Sequence, residues 1–192
     1  LSFVAPSFLT VNNLINVLRQ ATVVGVLAMG MTYVIISGGI DLSVASTIAL
    51  ASCIAAAYST TSTEIPLILA IGLGCLAGMA VGAVNGVVIS YLGVTPFIAT
   101  LGMQYAVRGI ALVYTGGRPI NALTTAYKSI GQGYIGFVPV PVILFIIIAL
   151  IAWFFLSKTK FGRYIYAIGG NEQAALVSGL RVKRIKFLAY VI

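Results

Sequence analysis

The sequence predicts an all-α integral membrane protein, a polytopic helical bundle with short or broken helices, and three observations carry that prediction. Only 7% of the 192 residues are charged and mean hydropathy is +1.12, whereas a soluble domain holds about 25% charged residues. The apolar residues gather into six segments of lengths suited to a hydrocarbon core of ~30 Å at ~1.5 Å per residue. Seven of the 11 Lys and Arg (Lys158, Lys160, Arg163, Arg181, Lys183, Arg184, Lys186) fall within 158–186, beside one acid, Glu172. A nucleic-acid-binding role for that patch is excluded by the 60% hydrophobic content.

Taken in order, residues 1–5 have neither a basic n-region nor a small-residue cleavage site and read as the tail of an earlier span. Apolar runs 21–37 and 44–58, 17 and 15 residues long, flank Gly38-Gly39-Ile40-Asp41-Leu42-Ser43. Asp41 is the only acid before residue 64. It suits capping the next helix with Ser43 close by, or, with Gly39 and Ser43, gating a pathway at broken helices or coupling the two halves of the molecule. In segment 65–91, Gly74, Gly78, Gly82 and Gly86 recur every four residues. Lacking Cβ atoms, they form a ridge that lets a neighbouring helix approach closely, a packing feature. Gly72, Gly74 and Ala77 match a dinucleotide fingerprint only formally, since no acid follows about 20 residues on and the setting is wholly apolar.

Segment 95–115 carries Thr100, Gln104 and Arg108 at i, i+4 and i+8. An Arg at mid-membrane costs at least ~2.5 kcal/mol, so this stripe either lines a cavity for a hydroxylated, uncharged solute or lets Arg108 snorkel to the interface. Residues 116–137, with Arg118, Pro119, Lys128 and several glycines, read as an irregular loop. Segment 138–157 is 20 residues without a charge, and a sixth span starts near Phe187. Cys53 and Cys75 sit in apolar runs and read as small packing residues. With no His in the chain, His-based metal sites and proton relays are absent.

Loops rich in Lys and Arg stay in the cytoplasm, so 158–186 lies inside. Alternation then puts 116–137 outside, 92–94 inside, 59–64 outside and 38–43 toward the inside. Arg19 lands outside and breaks the rule once, outweighed by seven charges on one loop. Within that loop, Gly169 to Gly179 reads as a short capped helix. Asn171 takes the N-cap, Glu172 meets the positive end of the helix dipole, and Gly179 supplies the left-handed C-terminal residue. Ala174, Ala175 and Ser178 leave a small-residue surface, which suits either a cytosolic partner that approaches closely or a helix that only lies at the membrane interface.

The segment GRYIYAIGGNEQAALVSGLRV closely resembles the cytoplasmic coupling segment of permease subunits from ribose-type bacterial ABC importers. So do SFLTVNNLINVLRQ at 7–20, GMTYVIISGGIDLSVAS at 30–46 and TPFIATLGMQYAVRGIALVYTGGRPI at 95–120. Ala45 stands where Gly is expected and Leu180 where Ile is usual. The resemblance implies a transmembrane permease in the bacterial inner membrane, 1–192 forming the N-terminal part of one domain of roughly ten spans. Leu1 is not an initiator and Ile192 stops inside an apolar run, which reads as part of a longer chain. The implied partners are a cytosolic ABC ATPase that binds ATP and Mg²⁺, a second permease copy or homologue, an external sugar-binding protein, and lipid. The ATPase contact is assigned to Gly170, Asn171, Glu172, Ala174, Ala175, Ser178 and Gly179.

The chain has no GxxxxGK[ST], GxSxG or HExxH and no acidic cluster for Mg²⁺, so nothing in it cradles a nucleotide or performs hydrolysis. The alternative is a secondary carrier driven by an ion gradient. Against it stands the scarcity of acids in the spans, where Asp41 is the sole candidate. Which solute passes, among ribose, allose, galactofuranose, a pentitol or a related signal, stays open.

Overall fold

The computed structural model describes residues 9–63 and 65–192, apart from the side chain of Asn12. The reading of 1–5 as an earlier span therefore falls outside the described residues, as does Glu64. Helices dominate: α1 (Val11–Ile36), α2 (Val44–Ala57), α3 (Leu67–Ser90), α4 (Pro96–Thr115), α5 (Thr125–Gln132), α6 (Val140–Lys158), α7 (Lys160–Gly170), α8 (Glu172–Val177) and α9 (Val182–Val191). A two-residue hairpin, β1 (Tyr134–Ile135) with β2 (Val138–Pro139), joins α5 to α6.

Four helices, α1, α3, α4 and α6, are long and apolar enough to cross a membrane. The remaining two expected spans differ from them. α2 has 14 residues, about 21 Å of helix, and α9 has 10. α1 extends ten residues ahead of the apolar run that starts at Ala21, to 26 in all, because Val11, Leu14, Val17 and Leu18 continue a helical pattern through Asn13 and Arg19. The turn at 38–43 therefore separates one long helix from one short one, rather than two short ones.

Two further expectations are corrected. The stretch 116–137 is partly ordered: Thr124 accepts a hydrogen bond from Tyr127 N and starts α5, and Gly136, at φ +63°, turns the hairpin. The basic segment 158–186 is mostly helical. Thr159, whose side chain accepts from Gly162 N, starts α7, and α9 begins at Val182 rather than near Phe187. Gly169 and Gly170 belong to the end of α7, not to the capped helix that follows.

Packing centres on α3, which touches α2, α4 and α9, while α6 lies along α1. The glycine ridge divides between two neighbours. A Cβ at Gly74 would meet the Ala51 carbonyl oxygen of α2 at 2.8 Å, and one at Gly86 would meet the ring and backbone of Phe187 of α9. Gly82 lies still closer against the α9 backbone at Tyr190, whereas Gly78 meets only Thr47 Cγ2 at 3.8 Å. Between α2, α3 and α4, Leu50, Val81, Val107 and Ala111 form a buried cluster. Cys53 and Cys75 are free thiols; Cys53 is half-buried, and Cys75 is exposed on the apolar outside of α3 instead of packing within the bundle.

Contacts between ends match the alternation read from the sequence. Thr61 N donates to Ala122 O and Thr124 N to Ser59 O. Arg19 Nη2 donates to Gln132 O at 3.1 Å, and the guanidinium stacks 4.5 Å from the Tyr134 ring. These groups share one end of the bundle. At the opposite end, Tyr33 and Ile36 of α1 pack on Ile165 and Ile168 of α7.

Candidate functional site

The basic segment folds as a three-helix unit on the end of α1. α7 is amphipathic: Gly162, Ile165 and Ile168 are buried, while Lys160, Arg163 and Tyr166 are exposed. Its end at Gly169 lies so close to α1 that a side chain there would overlap the Ile36 carbonyl. Asn171 is the N-cap of α8, its Oδ1 accepting from Ala174 N at 2.9 Å, a bond of the kind that contributes about 1 kcal/mol to a helix. Glu172 sits in the first turn and pairs with Lys186 of α9 at 2.7 Å; partly exposed, such a pair contributes at most about 1 kcal/mol. Gly179, at φ +81°, closes the helix. Lys186–Glu172 is the one ion pair among the described residues, and Lys158 of the same segment lies 5.5 Å over the Trp153 ring.

The small-residue surface expected on α8 is corrected at one position. Ala175 is 4% exposed and belongs to the cluster of Tyr33, Ile165, Ile168, Val182, Ile185 and Ala189. A six-residue helix makes fewer than two turns, so its faces depend on what it docks against, and here Ala175 anchors it. The outward face carries Ala174 and Ser178 with Leu176 and Val177, the latter 90% exposed. Gly170 is exposed beside it.

At 38–43 the chain turns from α1 into α2. Asp41 is not itself the N-cap; that position is Ser43. Asp41 Oδ1 instead accepts from Ser43 N at 2.7 Å and Ser43 Oγ at 2.6 Å, a turn in which a carboxylate binds the backbone two residues on. Ser43 is fully buried, and its Oγ accepts from Asn85 Nδ2 of α3 at 2.8 Å. Tyr190 of α9 donates from its hydroxyl to Ile40 O at 3.2 Å. Gly39 makes room for that ring, since a Cβ there would stand 2.5 Å from the tyrosine oxygen. Asp41, Ser43 and Gly39 are therefore brought together, with two partners the sequence reading missed. Asn85 had a signal, an amide in a 24-residue apolar span, where polar groups are costly. Tyr190 had none, because nothing local distinguishes it from a packing tyrosine.

The stripe on α4 does not share one environment. Thr100 is fully buried and donates to Pro96 O, its own helix. Gln104 is half-buried and Arg108 exposed. Steps of four residues drift about 40° on a helix of ~3.6 residues per turn, so Arg108 lies about 80° from Thr100. The buried face of α4 instead runs through Thr100, Val107 and Ala111. The three therefore do not share one face, and Thr100 follows Ala99, which packs on the cluster of Val34, Ile89 and Tyr190.

Four membrane-length helices, a central close-packed helix and a basic helical unit seated on one end define an all-α, multi-pass membrane protein. The chain belongs to the family of permease components of branched-chain amino acid transport systems, whose model matches residues 13–192. It is 46% identical to the ribose import permease of Bacillus subtilis over 98% of this chain and 59% of that protein. It is 43% identical to that of Haemophilus influenzae, over all of this chain and 60% of that protein. Against the D-allose transport permease of Escherichia coli the identity is 36%, over 96% of this chain and 56% of that protein. The chain thus spans about 60% of the length of the curated relatives it matches. No solved structure matches it.

Proposed function

We propose that this chain is the greater part of the transmembrane pathway subunit of an ATP-driven importer for a monosaccharide or related small polyol, in the inner membrane of a bacterium. A separate cytosolic ATPase binds ATP and Mg²⁺ and docks on α8. A second permease copy or homologue completes the pathway, and an external binding protein delivers solute. The observation that carries this reading is the two-faced α8. Its inner face is anchored through Ala175 to α1, and its outer face offers Ala174, Val177 and Ser178 to solvent. A surface presented by Asn171 and Gly179 at its two ends, and joined to a membrane helix through a buried core, suits force transfer. Relatives named for ribose, allose, galactose and galactofuranose support a sugar as cargo. ATP binding then shifts the population between inward-open and outward-open states, which requires differential contacts in the two. Gly39, Asp41 and Ser43, with Thr100, Gln104 and Arg108 of α4, are the residues assigned to pathway and gate.

The test is uptake of labelled sugars in cells carrying the full-length protein, alongside copurification of the ATPase. Ala174→Arg and Val177→Arg should abolish both while the permease still inserts. An ion-driven carrier predicts tolerance at these two positions, strong sensitivity at Asp41, and uptake stopped by a protonophore rather than by ATP depletion. Normal transport and normal copurification in both arginine variants would remove α8 as the docking surface.

A further inference from the structure

We infer that Asn85 and Tyr190 are positioning residues: together they clamp the 38–43 turn between α3 and α9, so that movement of the basic helical unit reaches α2. The inference rests on the importer reading above. The turn is gripped from two sides by side chains far away in sequence. Asn85 Nδ2 holds Ser43 Oγ, which in turn holds Asp41 Oδ1; Tyr190 Oη holds Ile40 O. The two anchors are themselves bound into one body, because Gly82 and Gly86 bring the α3 backbone against Tyr190 and Phe187 of α9. α9 follows α8 closely in the chain and is tied to it by Lys186–Glu172. At its start the turn is joined through Ser37 to Ile36, whose carbonyl abuts Gly169 of α7. The link between α1 and α2 is thus bracketed by α7 before it and by α9 over it.

Packing alone would not require this polar arrangement. Ser43 and Asn85 are both at least 99% buried, in a setting where an apolar pair would avoid desolvation. Among the described residues the Asn85 Oδ1 has no partner, although buried polar atoms are normally satisfied. A half-satisfied buried amide fits an element that makes its remaining bond in a second arrangement. Gly38, at φ +80°, and Gly39 give the turn the freedom to swing, whereas α2 starts with its first turn fixed through Ser43.

The experiment uses the full-length permease with its ATPase and binding protein in proteoliposomes. Two readouts are taken: sugar transported per ATP hydrolysed, and maleimide labelling of Ile40→Cys in a background with Cys53→Ala and Cys75→Ala. Tyr190→Phe removes one hydroxyl and keeps the ring, and Asn85→Ala removes the other tether. Each should lower transport per ATP by about fivefold, the factor equivalent to one net hydrogen bond, with ATPase copurification unchanged. The difference in labelling at position 40 between nucleotide-free and ATP-bound states, present without these changes, should vanish. Should Asn85→Ala fail to fold, Tyr190→Phe decides alone. A merely structural role predicts lower yield with normal transport per ATP in the protein recovered, and that result, or an unaltered labelling difference, overturns the clamp. If the unmodified system shows no ATP-dependent uptake, the importer reading falls and the clamp with it, an outcome distinct from coupled transport that the variants leave intact.

Discussion

Alanine substitution along the glycine ridge should produce a graded series, although the four residues look equivalent in the sequence. At Gly82 an added Cβ would overlap the Tyr190 carbonyl oxygen outright and stand 3.0 Å from its carbonyl carbon, whereas ordinary contact begins at 3.4 Å. To clear the oxygen, α9 must retreat from α3 by about 1 Å, far enough to forfeit much of the dispersion between them. The obstacle is backbone, which cannot rotate away as a side chain can. Overpacking of this kind costs about 1–3 kcal/mol, and the retreat also strains the bond from Tyr190 to Ile40. Gly74 faces the Ala51 carbonyl at 2.8 Å and Gly86 faces Phe187 at 2.8 Å, so each needs a smaller displacement and should cost less. Gly78→Ala meets nothing nearer than 3.8 Å and should cost nothing or stabilise slightly, since alanine is also the better helix former. The assay is the apparent melting temperature of the full-length protein in detergent, followed by loss of the monodisperse chromatographic peak. The expected order of destabilisation places Gly82 first, Gly74 and Gly86 between, and Gly78 last. Equal effects at Gly78 and Gly82 would refute the division of the ridge between α2 and α9.

A cysteine at Gln173 should react with an impermeant maleimide only after the cytoplasmic side is opened, and one at Thr61 from outside intact cells; labelling at 173 in intact cells would reverse the orientation. Ala175→Arg should differ from Ala174→Arg, because it places a charge in the cluster with Tyr33 and Ile165. It should lower folded yield, while the exposed Ala174→Arg leaves yield intact and acts on ATPase association; equal yields would contradict the burial of Ala175. Asn171→Ala should weaken α8 by about 1 kcal/mol, seen as roughly fivefold faster amide exchange at Ala174, with exchange in α3 unchanged as the control.

Much of the architecture was legible because the relevant forces are local and additive. Hydropathy summed over 138–157 or 65–91 marks a span whatever surrounds it, and the charges of 158–186 mark one end of the bundle by their number. Asn171, Glu172 and Gly179 could be placed on α8 because capping involves atoms within a few residues of one another. Each error has its own physical cause. The apolar run at 21–37 understates α1 by ten residues because polar Asn13 and Arg19 interrupt its hydropathy, and the order in 116–137 escapes notice because α5 is only eight residues long. The i, i+4, i+8 spacing of Thr100, Gln104 and Arg108 suggests one face, but helical drift separates them once Val107 and Ala111 turn inward.

What the sequence determined by itself was an all-helical membrane chain, the ends of its bundle and the cap of α8. Tertiary structure alone decided the partners. It set α9 on Gly82 and Gly86, turned Ala175 into a core beneath α1, and joined Asn85 to Ser43 across 42 residues and Tyr190 to Ile40 across 150. Periodicity along one helix says which residues share a face, but only the packing of several helices says what that face meets. In an apolar solvent, where hydrophobicity no longer drives one helix against another, that choice falls to close backbone approach and a few polar pairs.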